Sequence, residues 1–501
     1  MITLTINGKT IEVTEGTTIL EACMAEGVDV PYYCYHPDIG IDGNCRMCLV
    51  EVNGNTNKLT ISCKQPCGPD MKVETESPAV KKARKGVLEF YLINHPLDCT
   101  ICDEAGQCPL QDYSYRFGPG DSRFVEDKVK GPKKVEFSDK VLFDAERCIL
   151  CTRCTRYFED VRGCRPIGVE DMGDHSTITL GPNGPITDPY QLNIVDICPV
   201  GALTSTEHRF MQRVWFQDFA DTVCPGCSKG CNIQAGAYQG VLKRFEPRRN
   251  VDVNKSWMCD DGRLSYTKYN LTERIRSASV AGEPEPLGAA LERLNALVGD
   301  GNGVAVLAST ADTCEDLFAL RAWARAKGVT NLWHGVRTWQ GDDFLKQDDA
   351  TPNTAGAVAL GFTPVPAERP ALRGLVVAGD VDVPPELLDD LEFLVLQAPV
   401  AGELGEAAAV LLPGRTPLEK RGSFINHQGR RQTVRPAVDP GEGVPDDWTL
   451  WRDLGGGGWP TVQHLQRELQ AELGPIESLS HSDPVSTDPL HPGQPSSEAL
   501  R

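Results

Sequence analysis

The 501-residue sequence contains no run of about eighteen apolar residues, the length at which a helix begins to cross a bilayer. Its first residues, Met1-Ile-Thr-Leu-Thr, lack the basic-then-apolar layout of a secretory signal, so the expectation is a soluble, intracellular chain. Positive charge is in short supply: 50 Lys and Arg against 70 Asp and Glu leave a formal net charge of -20. Nucleic acid and anionic membrane both reward clustered positive charge, so neither is expected as a direct partner. No strand-like segment runs into a G-x-G-x-x-G or phosphate-loop motif, and no residue set offers a flavin or nicotinamide site. Cysteine is almost missing from the last 240 residues, where only Cys314 occurs.

The other eighteen cysteines lie before residue 260. In a reducing compartment disulfides are disfavoured, and clustered thiols are read as metal ligands. Hydrophobic residues at 40% and charged residues at 24% are otherwise ordinary for a globular protein. At roughly 150 residues per domain the length suggests about three domains.

The chain opens with alternating Ile2, Leu4 and Ile6, then Asn7-Gly8, then Ile11 and Val13, the pattern of a hairpin with a two-residue turn. Thr18 and Glu21 have capping-box spacing for a helix that Gly27 can end, with Cys23 on its apolar face. Cys34, Cys45, Cys48 and Cys63 follow at C-x10-C-x2-C-x14-C, and four thiolates on such a loop-rich edge suit one [2Fe-2S] cluster. Cys67, in a Pro-Cys-Gly-Pro turn, is a rival fourth ligand; Cys63 is preferred because it follows the strand-like Leu59-Thr-Ile-Ser. This order of hairpin, helix and cysteine loop resembles a ferredoxin-like β-grasp domain.

The basic run Lys81-Lys82-Ala-Arg84-Lys85 is read as a solvated helix face. After it come His95, Cys99, Cys102 and Cys108. Without His95 that set has only three thiolates, and a neutral imidazole in place of a thiolate should raise a cluster's potential. Cys148, Cys151 and Cys154 form a C-x2-C-x2-C run with Phe158 where a two-cluster ferredoxin places a further cysteine. Cys198, in a Cys-Pro ending, is the expected fourth ligand of a single [4Fe-4S] cluster; Cys164 competes for that role and is otherwise read as a buried thiol. Cys224, Cys227, Cys231 and Cys259 form a fourth set, with a hairpin expected around Gln239-Gly240. Tetrahedral zinc is the alternative there, since two cysteine-bearing loops also make a zinc ribbon.

Beyond about residue 271 the pattern turns α/β. Val304–Leu307, Leu375–Ala378 and Phe393–Leu396 read as buried strands and Cys314–Ala326 as an amphipathic helix, suggesting parallel units with crossover helices. Gly455 to Gly458 reads as a flexible turn, and Pro475 to Arg501, rich in Ser, Pro, Asp and His, as disordered.

Taken together, Cys45-Arg-Met-Cys-Leu-Val-Glu51, the His95–Cys108 motif, Cys148-Ile-Leu-Cys-Thr-Arg-Cys154 and Asp196-Ile-Cys-Pro-Val-Gly-Ala202 resemble the G-subunit family. These are the large iron-sulfur subunits of bacterial NADH-quinone oxidoreductase, respiratory complex I. Leu411-Leu-Pro-Gly and the stretch from Glu419 to Gln432 are similar to the molybdopterin oxidoreductase fold.

The resemblance implies a multidomain α+β and α/β protein. Its expected parts are a [2Fe-2S] β-grasp domain (1–76), a domain with one histidine-plus-three-cysteine and one four-cysteine [4Fe-4S] site (77–216), an additional [4Fe-4S] domain (217–273), a truncated molybdopterin-oxidoreductase-like domain without molybdenum (274–470) and a disordered tail (471–501). It implies one [2Fe-2S] and three [4Fe-4S] clusters, the fourth off the main route, with Cys23, Cys67, Cys164 and Cys314 as spares. It further implies other peripheral-arm subunits as partners, including the one that binds NADH and FMN, and a place on the cytoplasmic face of the bacterial inner membrane held only through the complex. An electron-transfer subunit of an NAD-linked hydrogenase or formate dehydrogenase is the redox alternative, and a zinc-stabilised scaffold the non-redox one.

Overall fold

A computed structural model describes residues 1–368 and 370–476. They form two compact units, Met1–Gln217 and a second that begins at Asp218.

The first unit starts with strands Ile2–Ile6 and Lys9–Val13, paired antiparallel with Ile6 opposite Lys9, so Asn7-Gly8 is the whole turn. Both turn residues have positive φ, 48° and 80°, the conformation that an Asn-Gly hairpin turn needs. Leu4, Ile6 and Ile11 point inward and are buried. Ile2–Ile6 also pairs in parallel with Lys72–Glu74, which pairs antiparallel with Leu49–Val52, and Thr60–Ile61 completes a five-stranded sheet. Helix Ile19–Ala25 is capped by Thr18 and Glu21 in a capping box and buries Ile19, Leu20, Ala22 and Cys23.

Helix Pro78–Asn94 follows, with Ser77 as N-cap and Pro78 in its first turn. Its basic run is not uniformly solvated. Lys81, Lys82 and Lys85 are exposed, but Arg84 is fully buried, paired with Glu76 at 2.9 Å and packed over the Phe117 ring of helix Pro109–Phe117. Composition alone could not separate the one inward position from its neighbours. Two small sheets complete the unit: Leu203–Ser205, Val141–Phe143 and Val135–Glu136 in one, Ile167–Glu170 and Thr177–Leu180 in the other.

The second unit begins with an antiparallel sheet of Asp218–Val223, Asn232–Tyr238 and Val241–Pro247, whose last two strands turn at Gln239-Gly240. An eight-stranded sheet follows. Strands Val304–Ser309, Asn331–Gly335, Gly374–Ala378 and Phe393–Ala398 run parallel at its centre. The alternation of Val304–Ser309 divides the core: Val304, Val306 and Ala308 join one apolar cluster, Ala305 and Leu307 the other. Helix Cys314–Ala326 packs into the first of these with Trp323 fully buried.

One residue of the glycine run, Gly456, is closely packed. Residues Arg452–Gly456 form a π-type turn directly after helix Asp447–Trp451, and a Cβ on Gly456 would lie 2.7 Å from the Trp451 carbonyl oxygen. The expected tail also begins too early at 471, because helix Val462–Leu473 continues past it with Leu465 and Leu469 buried, ending at Gly474. The remainder of that expected tail, from 477, lies outside the described residues. No helix among the described residues is long and apolar enough to cross a membrane.

Candidate metal centres

All four thiols of the first set are buried, at 2% exposure or less. The loop that delivers them bends through Gly40 and Gly43, both at positive φ, and through Arg46 at φ 58°. Cys34 hydrogen-bonds with both Cys45 and Cys63, and Cys48 with Cys63, so the structure brings the quartet together. Hydrogen bonds from Cys45 and Cys63 hold the Cys34 thiol far below the usual range, and the bond from Cys63 brings Cys48 down to about 7. The Tyr33 N–H donates to Cys45 Sγ at 3.4 Å. Cys67 is placed elsewhere, acted on by Glu21 and acting in turn on Cys23.

The second set is only partly assembled. Cys102 and Cys108 are buried neighbours, with Glu104 beside both. Cys99 is exposed, in the single turn Cys99–Ile101. His95 is the C-cap of helix Pro78–Asn94, and the groups acting most on its ring are Arg147, Lys128, Asp144 and Asp98 rather than a thiol. Burial first, then Arg147 and Lys128, push its pKa down to about 4, which keeps the imidazole in the neutral form that can ligate a metal.

The third set is the best formed. Cys148, Cys151, Cys154 and Cys198 all line one cavity, walled by Phe143, Ile149, Ile178, Val200 and Leu203 among others. Leu150 and Thr152, between the first three thiols, have φ of 52° and 61°, a curl that aims the Leu150 N–H at Cys148 Sγ, 3.4 Å away. Buried Arg153 ties this loop to the Cys198 segment by donating to the Ile197 carbonyl at 3.1 Å. Phe158 is fully buried against Tyr157. Cys164 lies outside the cavity lining and is half-buried rather than buried, with Asp188 and Arg162 as its charged neighbours. It follows the turn Tyr157–Val161, where the chain has already left the cavity.

Within this unit the three sets abut. Arg153 donates to the Tyr35 carbonyl and Arg156 to those of Cys34 and, at 3.2 Å, Gly40, while Asn44 Nδ2 donates to the Leu150 carbonyl at 3.1 Å. On the other side, Cys108 Sγ lies 3.9 Å from the Pro199 carbonyl oxygen, and a Cβ on Gly201 would come within 2.2 Å of Cys102 Sγ. The Cys198–Gly201 segment therefore serves two sites. Substituting Gly201→Ala is expected to displace Cys102, lowering iron at the second site and destabilising this unit by ~1–3 kcal/mol. Iron content and thermal unfolding of the variant measure both.

The fourth set belongs to the second unit. The Cys224 N–H bonds to the Cys231 carbonyl at 2.8 Å, closing a loop that presents Cys227, and Cys259 caps the short helix Asp260–Leu264. Gly262 fits beside two thiols: a Cβ there would lie 3.2 Å from both Cys224 Sγ and Cys259 Sγ, and its N–H donates to Cys259 Sγ at 3.3 Å.

Burial pushes most of these thiols up, Cys148 and Cys259 to about 12 and Cys154, Cys198 and Cys231 well above the thiol range. Such thiols ionise only if a positive charge joins them, which is what a metal centre provides. The donor chemistry fits iron-sulfur clusters.

Family models match in the same order as the sites. A 2Fe-2S iron-sulfur cluster binding domain matches residues 1–78, the NADH-ubiquinone oxidoreductase-G iron-sulfur binding region 84–123, and the ferredoxin-like domain of NADH-quinone oxidoreductase subunit 3 138–204. The molybdopterin oxidoreductase Fe4S4 domain matches 217–270 and molybdopterin oxidoreductase 381–456. The NADH-quinone oxidoreductase G subunit of Rickettsia bellii is 37% identical over 66% of this chain and 49% of its own length. This chain is a homologue of that G subunit. The G subunit of Streptomyces coelicolor is likewise 37% identical, over 66% of this chain and 40% of its own length. The chain thus spans about half or less of the G-subunit relatives it matches. A chain from the crystal structure of NAD+-reducing [NiFe]-hydrogenase in the H2-reduced state aligns at 28% identity and a TM-score of 0.39, covering 42% of this chain and 91% of that one.

The residues that sequence reading missed are those that join the sites. Arg153 lies between Cys151 and Cys154 and Arg156 two residues past Cys154, where an arginine beside a candidate ligand was a visible signal, but Gly201 carried none.

Proposed function

We propose that this chain is the iron-sulfur electron-transfer subunit of an NADH-quinone oxidoreductase. It would relay electrons from an NADH- and FMN-binding subunit toward quinone, in a complex that couples the transfer to proton translocation. The observation that carries the reading is the direct contact among three thiol sets in one unit, with Asn44, Arg153 and Arg156 joining the first to the third and the Cys198–Gly201 segment joining the third to the second.

The ligands proposed are Cys34, Cys45, Cys48 and Cys63 for a [2Fe-2S] cluster, and for three [4Fe-4S] clusters His95 with Cys99, Cys102 and Cys108, then Cys148 with Cys151, Cys154 and Cys198, then Cys224 with Cys227, Cys231 and Cys259. Bound there, the clusters supply reversible one-electron oxidation and reduction. The protein's part is positional. Thiolates fix the centres, apolar walls such as Phe143 and Ile178 keep water from the third site, and N–H groups aimed at Cys45, Cys148 and Cys259 stabilise negative charge on sulfur. The fourth site is proposed to stand off the main route. Attachment to the cytoplasmic face of the inner membrane would come only through partner subunits.

Membranes from cells lacking this chain test the proposal. NADH-driven quinone reduction should be absent and should return with the wild-type chain, whereas unchanged activity in its absence would exclude the reading.

A further inference from the structure

The stretch from Glu419 to Gln432, similar to the molybdopterin oxidoreductase fold, folds in large part into the hairpin of Gly422–Ile425 and Arg431–Val434. The α/β core grips this hairpin from one side: buried Glu315 of helix Cys314–Ala326 accepts from the Ser423 N–H at 2.7 Å and pairs with Arg431 at 3.2 Å. Three other residues reach the fourth thiol loop. The His427 N–H donates to the Ser228 carbonyl at 2.8 Å, Asn426 Nδ2 to the Lys229 carbonyl at 3.2 Å and Gln432 Nε2 to the Gly230 carbonyl at 3.0 Å. Ser228, Lys229 and Gly230 are the whole of the chain between Cys227 and Cys231. Asn426 and Gln432 are buried, and Gly230, at φ 66°, fits between them: a Cβ there would lie 2.6 Å from Gln432 Oε1 and 3.1 Å from Asn426 Cβ. Phe424 and Val434 pack with Val223, the residue before Cys224. A trans peptide plane points its C=O and N–H in opposite directions. Holding the Ser228 carbonyl on the hairpin therefore turns the Lys229 N–H the other way, where it bonds to the Cys227 thiol.

We propose that this hairpin is the clamp of the fourth cluster, with Asn426 and Gln432 as positioning residues that fix the main chain between Cys227 and Cys231. This rests on the reading of the fourth set as an iron-sulfur centre. The clamp comes from far along the chain, since Asn426 lies 197 residues from Lys229 and Gln432 lies 202 from Gly230. The fourth site is thereby completed by the α/β part of the second unit rather than by its cysteine-bearing segment alone. Groups that orient metal ligands in this way change metal retention by roughly 10- to 100-fold when removed.

The test is EPR of the full chain loaded anaerobically, wild type against Gln432→Met and Asn426→Asp, titrated in turn with chelator and with reductant. Gln432 Oε1 has no hydrogen-bond partner among the described residues, so methionine removes only the bond to Gly230. Aspartate keeps the Oδ1 that accepts the Gln428 and Arg430 N–H groups, so the turn of the hairpin is retained. Each variant is expected to lose the fourth cluster's signal at an about 10-fold lower chelator concentration and to lower that cluster's potential, with the other three clusters unchanged. A fourth cluster unmoved in both retention and potential in the two variants overturns the inference while leaving the cluster assignment intact. Zinc in place of an iron-sulfur signal at the fourth site of the wild type would instead overturn the assignment. If the variants do not fold, hydrogen exchange of the wild type decides. The His427 amide should exchange more slowly in the loaded chain than in the iron-free chain, with strand Val304–Ser309 unchanged, and equal exchange at His427 overturns the inference.

Discussion

Replacing Cys198 with serine is expected to abolish the third cluster's EPR signal and to reduce NADH-driven quinone reduction to background, while Cys164→Ser leaves all four clusters in place. Cys198 shares one cavity with Cys148, Cys151 and Cys154, and its Sγ sits 2.9 Å from the Val200 carbonyl oxygen. Cys164 is outside that lining. The same segment supports Cys102 and Cys108, so the second cluster should broaden or lose occupancy in the Cys198 variant as well. The first and fourth clusters should persist. Iron analysis together with EPR of both variants makes the measurement, and loss of the third cluster from Cys164→Ser would reverse the ligand assignment.

The second large effect concerns stability. Lys420 is buried with its Nζ donating to Asp312 at 2.5 Å, Asp447 at 2.6 Å and Asp316 at 3.2 Å, and all three carboxylates are buried too. Burial first, and then the two neighbouring carboxylates, push Asp312 up to about 7 despite the opposing ammonium. Removing the lysine leaves three desolvated acids without a counter-charge. Lys420→Met should destabilise the second unit by ~3–5 kcal/mol. The sign with pH follows. An acid whose folded pKa lies above its unfolded value of 3.8 contributes stability at low pH that is lost as pH rises through about 7. The variant's deficit should therefore be larger at high pH than at low. Calorimetric unfolding of both chains across that range measures it, and a deficit below about 1 kcal/mol, or one that shrinks as pH rises, contradicts the account.

Local features were legible in the sequence because local physics determines them. The Asn7-Gly8 turn, the Thr18–Glu21 capping box, the Gln239-Gly240 hairpin and the buried parallel strands each depend on residues within a few positions. What escaped depends on long-range contacts. Arg84 differs from Lys82 and Lys85 only by facing Phe117 and Glu76. Gly456 is hemmed in by Trp451 and helix Cys314–Ala326, neither of which the composition of the glycine run reveals. The candidate ligand sets were read from spacing, but the adjacency of the first and third was not: Asn44 meets Leu150 across 106 residues, and Arg153 meets Tyr35 across 118. His95 stands apart, since its spacing invites ligation while the structure supplies a neutral imidazole without yet joining it to the thiols.

Low-temperature EPR of the full chain, purified anaerobically and reduced in steps, tests the central claim most directly. One [2Fe-2S] and three [4Fe-4S] signals are predicted, with iron and acid-labile sulfide in matching amounts. Zinc at the four thiol sites with no iron-sulfur signal would contradict it.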